Sequence, residues 1–421
     1  MAINLRGTKT QSTYVFVFSS GPSVARPAWP GLRRPRGTAY VCISPEIQTC
    51  VISSNIPFFL RSSHVSELLQ PAWPEWIESL SALFGHDDVW NGVGWGSAED
   101  TAKQMFNAYL DAGGNFIDTA NGYTGGTSET FLGKFIWERG ERDRIVLATK
   151  FTFAMGKGDP NAGGNGRKNI YSSLEGSLRR LQTDYIDLFW MHNWDTLTPV
   201  DEVMSSLDDL VRAGKVRYIG ISNSPAWYLA RAQSLAEFKH YDKFCAWQLE
   251  YSLLERNIER EHIPAALEFG LGITPWSPLA SGLLSGKYKR EKGSARPAGD
   301  GRLTVTKESG NPAFLKLFTE RNWKIIDALN EVSKEIGKPP AQIALNWVTH
   351  RPGVSSTIIG ASKMEQLKDN LAALDFDLSE AARKKLDEVS QPENQYPYLF
   401  FGPEMQAGVT GGAEVRKTPG F

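Results

Sequence analysis

From about Ser97 onward, short apolar runs alternate with longer segments whose apolar positions recur at helical spacing. The short runs favour strands, and the longer segments favour amphipathic helices. The first helix is predicted over residues 98–114, with Ser97 as its N-cap and Gly113 as its stop. Seven strands are predicted, with the texts NFIDTA, RIVLATK, YIDLFWMH, VRYIGISN, KFCAWQLEY, LGITPWSPL and VSSTIIG. This alternation is typical of parallel βαβ units.

An eighth strand would close these units into a barrel, and it would lie before Ser97. The best candidate is SALFGHDD, residues 81–88, although its pattern is poor. The sequence therefore predicts an α/β fold, a (β/α)8 TIM barrel whose first strand is degenerate or missing. We assign residues 1–79 to an irregular N-terminal leader, 80–395 to the barrel and 396–421 to a C-terminal tail.

The leader differs in composition from the rest of the chain. Its first acidic residue is Glu46, and the basic residues that precede it are Arg6, Lys9, Arg26, Arg33, Arg34 and Arg36. An Arg-rich, Ser-rich and acid-poor segment is also typical of a mitochondrial transit peptide. No clear amphipathic helix supports that alternative, so we expect a disordered or wrongly translated leader and a cytoplasmic location.

The composition of the whole chain excludes several classes of protein. Its 421 residues carry a net charge of -1, which gives no electrostatic footprint for nucleic acid or an anionic membrane. No stretch approaches the roughly 18 apolar residues that a membrane helix needs. Cys42, Cys50 and Cys245 are too few and too scattered to predict a disulfide framework or a zinc site, so no metal is expected. A small molecule is the expected partner, and the sequence predicts no oligomeric state.

Four residues capable of proton chemistry stand at or just past the ends of predicted strands: Asp118, Tyr123, Lys150 and His192. In a (β/α)8 barrel, catalytic groups arrive singly from such strand ends at the C-terminal face. A phenol gives up its proton reluctantly at neutral pH, and a neighbouring ammonium favours the phenolate. Lys150 would supply that ammonium to Tyr123, and Asp118 would hold Lys150 charged. With His192 orienting a carbonyl oxygen, the set predicts proton delivery beside a hydride donor.

Each of these residues also has a structural interpretation. Asp118 fits an N-cap or a loop carboxylate, and Tyr123 fits a turn aromatic. Lys150 fits an exposed strand end, and His192 fits a hydrogen-bonded barrel histidine. Their order on consecutive βα units favours the catalytic interpretation.

The second half of the predicted barrel ends its strands in groups that suit a cofactor. Ser222, Asn223 and Gln248 provide a hydroxyl and two side-chain amides. Trp276 ends the next strand and leads into small residues, where backbone N–H groups can approach a phosphate. Barrel packing is the alternative for Gln248 and Trp276.

The last strand ends at Gly360 and opens a helix beside Lys363, a position suited to an anion. Ordinary helix capping is the alternative for Ser362. The chain has no GxGxxG after an early strand and no GxxxxGK[ST], so neither a Rossmann nor a P-loop nucleotide site is predicted.

Over about residues 97–395 the chain resembles the aldo-keto reductases, and in particular their aryl-alcohol dehydrogenase and norsolorinic-acid-reductase branch. The motifs that carry this resemblance are highly specific. They read GGNFIDTANGYTGGTSETFLG, RIVLATKFT, DLFWMHNWD, LVRAGKVRYIGISN, WQLEYSLLER, PWSPLASGLLSGKY and TIIGASKMEQLKDNL.

The resemblance implies a TIM barrel that binds NADP(H) without a Rossmann domain and a catalytic tetrad of Asp118, Tyr123, Lys150 and His192. It implies that Ser222, Asn223 and Gln248 hold the carboxamide, with Trp276 stacked on the nicotinamide. The residues implied for the pyrophosphate are Ser277, Pro278, Leu279, Gly282 and Lys287. Those implied for the adenosine and its 2′-phosphate are Gly360, Ser362, Lys363, Gln366 and Asn370.

The resulting prediction is NADPH-dependent, reversible reduction of aldehydes or ketones to alcohols, with Tyr123 as general acid. Aromatic substrates are expected from the branch, and Trp190 and Trp194 are compatible with an aromatic pocket. One alternative is a cofactor-binding regulatory subunit, like the potassium-channel β subunits of the same superfamily. The other is an inactive paralogue, because residues 80–96 lack the Gly-Thr strand with which relatives begin.

Overall fold

The computed structural model describes residues 97–290, 303 and 317–413 with their side chains, and only the backbone of residues 41–42, 50–51, 79–81 and 297–298. The chain divides into two units, Met1–Arg61 and Ser62–Phe421. In the first unit, Val41–Cys42 and Cys50–Val51 form a short antiparallel ladder. The remaining residues of the predicted leader before 79 lie outside the described part of the chain.

The second unit contains an eight-stranded parallel sheet, in which all seven strands predicted from the sequence are present. The strands are β1 Ser79–Ser81, β2 Phe116–Asp118, β3 Val146–Phe151, β4 Ile186–Met191, β5 Val216–Ser222, β6 Phe244–Glu250, β7 Gly272–Trp276 and β8 Ile358–Ile359. Their order in the sheet is β8-β1-β2-β3-β4-β5-β6-β7.

The sheet closes on itself between β7 and the segment that leads into β8. The Ile273 N–H donates to the Gly353 carbonyl at 2.8 Å, and the Ser355 N–H donates to the Ile273 carbonyl at 2.9 Å. Ile273 and Val354 form a parallel bridge at the same place. The predicted TIM barrel is confirmed.

The first barrel strand is present but lies earlier than predicted. It spans Ser79–Ser81, so it overlaps the predicted 81–88 only at Ser81, and residues 82–88 lie outside the described part of the chain. Ser79 pairs with Phe116 on β2 and with Ile358 on β8. A Ser-Leu-Ser text has little local strand signal, because strand propensity depends mostly on packing against neighbouring strands.

Helices cover the strands on the outside of the barrel. Their bounds are α1 Glu99–Asp111, α2 Thr127–Arg139, α3 Arg167–Leu181, α4 Val200–Arg212, α5 Ala226–Lys239, α6 His262–Phe269, α7 Glu320–Ile336, α8 Pro340–Thr349, α9 Met364–Leu371, α10 Glu380–Ser390 and α11 Pro403–Val409. Among the described residues, no helix combines the length and apolarity needed to cross a bilayer.

Ser97 does not cap α1 as predicted. The N-cap is Ala98, which makes no side-chain cap bond. The Ser97 hydroxyl instead donates to the Ser362 carbonyl at 3.1 Å, beside the start of α9. A contact between residues 265 positions apart is invisible to a local capping rule.

The barrel interior is filled by a small cluster that is distinct from the main core between strands and helices. Its members are Phe116, Ala148, Leu188, Trp190, Cys245 and Ala246. Residues two apart on a strand face the same side. Asp118 and Lys150 therefore continue the inward rows of Phe116 and Ala148, one step nearer the C-terminal ends of β2 and β3.

Candidate active site

Asp118 at the end of β2 and Lys150 on β3 form an ion pair that is closed to solvent, with exposures of 1% and 0%. The Lys150 ammonium donates to Asp118 Oδ2, and it also donates to the Thr119 carbonyl at 2.8 Å. The register of β2 on β3 places Asp118 opposite Ala148, which puts the two side chains within reach inside the barrel.

Tyr123 reaches the same place from the loop after β2. Tyr123 is the first residue of a short 3-10 turn, Tyr123–Gly126. Its N–H donates to the Ala120 carbonyl at 3.2 Å. Lys150 Nζ lies 3.4 Å from the Tyr123 phenol oxygen and 4.9 Å from its ring centroid. The predicted contact between the ammonium and the phenol is present.

Electrostatics keep the lysine in its charged form. Burial alone lowers the pKa of Lys150, but the Asp118 carboxylate and the Tyr123 oxygen outweigh it and raise that pKa. Burial raises the pKa of Asp118 as well, against the opposing effect of Lys150. The pair therefore presents a fixed cation to the phenol.

His192 follows β4 and presents its ring to the phenol of Tyr123. The two rings meet edge to face at a centroid distance of 5.8 Å. The ring of Phe153 also packs edge to face against His192, at a centroid distance of 4.7 Å. Burial, together with the Lys150 charge, holds the pKa of His192 well below its usual range. The imidazole is therefore neutral at pH 7 and suits hydrogen bonding to an uncharged carbonyl.

The backbone of His192 is fixed by two neighbours. Its N–H donates to Thr152 Oγ1 at 3.2 Å, and its carbonyl accepts from Asn223 Nδ2 at 3.1 Å. Thr152 in turn donates to Asn165 Oδ1 at 2.6 Å. Sequence reasoning missed Thr119, Thr152, Phe153 and Asn165, and the sequence signal for two of them, Thr119 and Thr152, is that they directly follow strands β2 and β3.

The three residues predicted to hold a carboxamide occupy neighbouring strand ends. Gln248 Nε2 donates to Asp118 Oδ1 at 3.2 Å, so Gln248 contacts the Asp118–Lys150 pair directly. Ser222 is fully buried, and its hydroxyl has no hydrogen-bond partner among the described residues. Asn223 adopts a left-handed backbone with φ 42°.

Trp276 joins this group, because its indole N–H donates to Asn223 Oδ1 at 3.1 Å. Trp276 and Trp194 both line an open cleft of about 480 Å³. The other lining residues are Asn193, Asn223, Ser224, Pro225, Leu249, Glu250, Glu255, Ile258 and His262. Trp190 is fully buried and packs inside the barrel. It therefore lies inside the barrel below His192, and of the two tryptophans that are compatible with an aromatic pocket, Trp194 is the one that lines the cleft.

The loop after Trp276 contains the small residues predicted for a phosphate. Ser277 and Ser281 have positive φ, and Ser277 Oγ accepts from the Ser281 N–H at 3.2 Å. The Gly282 N–H donates to the Leu279 carbonyl at 2.9 Å. Pro278 lies between Ser277 and Leu279 in this turn.

Lys287 contacts this loop, and Lys363 lies close enough to Lys287 to affect its pKa. Lys287 Nζ lies 3.1 Å from the position of a Cβ on Gly282. Partial burial and the charge of Lys363, the N-cap residue of α9, lower the pKa of Lys287. Two cations that repel each other in this way would be stabilised by an anion between them.

The remaining predicted residues surround the start of α9 and bond to one another. Gln366 Oε1 accepts from the Ser362 N–H at 2.9 Å and from the Ser362 hydroxyl at 3.1 Å. Asn370 is buried, and its Nδ2 donates to the Gly360 carbonyl at 3.3 Å. These bonds hold the segment between β8 and α9.

The sequence matches the Aldo/keto reductase family over residues 85–391. It is similar to an aryl-alcohol dehydrogenase [NADP(+)] from Phanerodontia chrysosporium, with 35% identity over 325 residues, which cover 75% of this chain and 83% of that protein. It is 34% identical to a norsolorinic acid reductase from Emericella nidulans over 73% of this chain and 77% of that one. An uncharacterized oxidoreductase from Bacillus subtilis is 37% identical over 69% of this chain and 87% of its own length.

Proposed function

The chain belongs to the aldo/keto reductase family, and we propose on this basis that it reduces aldehydes or ketones, preferentially aromatic ones, to alcohols in a reversible reaction. The observation that carries the proposal is the contact of Lys150 with both Asp118 and Tyr123. A buried ammonium beside a phenol can assist the transfer of the phenol proton to a carbonyl oxygen.

The cofactor we propose is NADP(H), in agreement with the printed name of the Phanerodontia relative. The residues fit it, because Lys287 lies against a loop of small residues with positive φ and is close enough to Lys363 for the two charges to interact. The unpartnered hydroxyl of Ser222 and the amide of Asn223 suit a carboxamide. When bound, the cofactor supplies the hydride of the reduction.

The protein's own residues would manage the proton. Tyr123 donates its phenol proton to the substrate oxygen, and Lys150 stabilises the phenolate that remains. Asp118 keeps Lys150 charged and fixes its direction. His192, which is neutral, orients the carbonyl oxygen toward Tyr123 by a hydrogen bond from its ring.

The preference for aromatic substrates is supported by Trp194, which lies two residues after His192 and lines a cleft together with Trp276. Trp194 packs edge to face on Trp227 at 5.3 Å, so its ring is held in place. Flat aromatic substrates would gain stacking and burial against such walls.

The proposal is tested by following NADPH consumption by the purified full-length chain with matched aromatic and aliphatic aldehydes. We expect turnover, with a higher kcat/KM for the aromatic member of each pair. Binding of NADPH, seen as quenching of protein fluorescence, without turnover of any aldehyde would overturn the enzymatic proposal and favour the regulatory alternative.

A further inference from the structure

The first turn of α2 is tied to the chain neighbours of both members of the Asp118–Lys150 pair. Ser128 Oγ and Thr119 Oγ1 share a hydrogen bond of 2.7 Å, and Thr119 directly follows Asp118. Thr149 Oγ1 donates to Glu129 Oε1 at 2.6 Å, and Thr149 directly precedes Lys150. Ser128, Glu129, Thr119 and Thr149 are all fully buried.

The second oxygen of Glu129 holds Arg180 on α3, whose Nε donates to Glu129 Oε2 at 2.7 Å. The stem of Arg180 lies against Gly126, since a Cβ built there would be 2.8 Å from Arg180 Cδ. Gly126 has φ +96° and ends the turn that begins with Tyr123. The Glu129–Arg180 pair therefore touches the loop of the phenol as well as the strand of the ammonium.

We propose that the Glu129–Arg180 pair is a positioning element that sets the Lys150–Tyr123 contact of 3.4 Å. The pair acts through Thr149 on one side and through Gly126 on the other, and it touches no reacting atom. The inference rests on the proposed function, because the contact it sets is the one that delivers the proton.

The geometry favours this role over simple support of the fold. Glu129 is fully buried, and each of its two oxygens accepts from a different element, β3 and α3. A buried carboxylate is stable only when such bonds are made. Misplacement of catalytic groups by about 1 Å can cost on the order of 10²-fold in rate. A rigid link from one carboxylate to both partners of the contact limits that misplacement.

The test compares Glu129→Gln with a matched variant of a second carboxylate that also contacts β3. Asp187 on β4 accepts from the Leu147 N–H at 3.0 Å and pairs with Arg142 at 2.7 Å. Asp187→Asn thus also neutralises a carboxylate that links β3 to an arginine. The residue that it contacts on β3, Leu147, lies two residues before Thr149. The measurements are thermal melting, steady-state kcat and KM, and the pH dependence of kcat.

We expect Glu129→Gln to lower kcat by about tenfold with KM changed by less than about twofold, because positioning acts on the chemical step. The pH profile of its kcat should also differ from that of the wild type, since the variant alters the contact between the Lys150 ammonium and the phenol. Asp187→Asn should lower the melting temperature and leave kcat and its pH profile unchanged.

A second pair of variants covers the case in which Glu129→Gln does not fold. Thr149→Val removes the hydroxyl that donates to Glu129 and should reproduce the loss of kcat and the changed pH profile, and Thr149→Ser should restore both. If these variants change only the melting temperature, the inference is overturned. A wild-type chain without any turnover would instead overturn the proposed function and this inference with it.

Discussion

Gln248 on β6 donates to the same carboxylate that holds Lys150: its Nε2 lies 3.2 Å from Asp118 Oδ1, while Lys150 bonds Oδ2. This bond spans the barrel interior and joins residues 130 positions apart. A residue expected at the cofactor therefore also contacts the carboxylate of the Asp118–Lys150 pair. Any movement of Gln248 on cofactor binding would directly change the hydrogen bonding of Asp118.

Replacing Tyr123 with Phe removes the proton that we assign to the general acid but keeps the ring. We expect kcat for carbonyl reduction to fall by at least about 10²-fold, whereas NADPH affinity changes little, because the phenol acts in the transition state. Kinetics with an aromatic aldehyde and a fluorescence titration with NADPH measure the two quantities. Near-normal turnover would contradict the assignment of Tyr123.

Replacing Lys150 with Met leaves the Asp118 carboxylate buried without a cation. Breaking a buried ion pair in this way costs about 3–5 kcal/mol, so both the melting temperature and kcat should fall. The matched control is the double variant Lys150→Met with Asp118→Asn, which should regain stability but not activity. If Lys150→Met keeps the wild-type rate and pH profile, Lys150 does not act on Tyr123.

Replacing Lys363 with Glu reverses a charge at the start of α9. We expect the preference for NADPH over NADH to be lost or reversed, because a carboxylate repels the 2′-phosphate. Lys368→Glu makes the same charge change at an exposed position of the same helix and should leave the preference intact. An unchanged ratio of the two affinities in Lys363→Glu would place the phosphate elsewhere.

The lowered pKa of His192 predicts an acid-sensitive fold. The unfolded chain binds a proton at His192 near its ordinary pKa of about 6.5, whereas the folded chain does so only at lower pH. The contribution of neutral His192 to the free energy of unfolding is therefore fully present above about pH 6.5, the ordinary pKa. It is lost as the pH falls from there through the lower pKa of the folded chain. Melting temperatures between pH 7 and 5 should decline less steeply for His192→Gln than for the wild type. Because burial also lowers the pKa of His262, some decline should persist in the variant. Equal slopes for the variant and the wild type would show that folding does not lower the pKa of His192.

The short strand β1 predicts where the chain can be shortened. A chain that begins at Ser62, the start of the second unit, should fold and bind NADPH like the full chain. A chain that begins at Ser97 lacks β1, which leaves β2 and β8 as unpaired edges, and it should fail to melt cooperatively. The comparison needs thermal melting and NADPH titration of all three chains. Identical behaviour of the Ser97 chain would mean that β1 is not needed for closure.

The sequence by itself determined seven of the eight barrel strands and the residues at their ends. Apolar runs such as RIVLATK and IDLFWMH are local signals, and the polar residue that ends each run is fixed by its place in the run. Strand alternation then turns Asp118 and Lys150 inward at one end of the barrel, as the structure confirms. Local periodicity was enough for these features, because neighbouring residues decide them.

Only the tertiary structure decided the features that depend on distant partners. Ser79–Ser81 becomes a strand because β2 and β8 flank it, and Ser97 bonds Ser362 instead of capping α1. The bonds of Glu129 to Thr149 and Arg180 join α2 to β3 and α3. No local pattern specifies these contacts, since closure of the barrel brings their partners together from positions far apart in the chain.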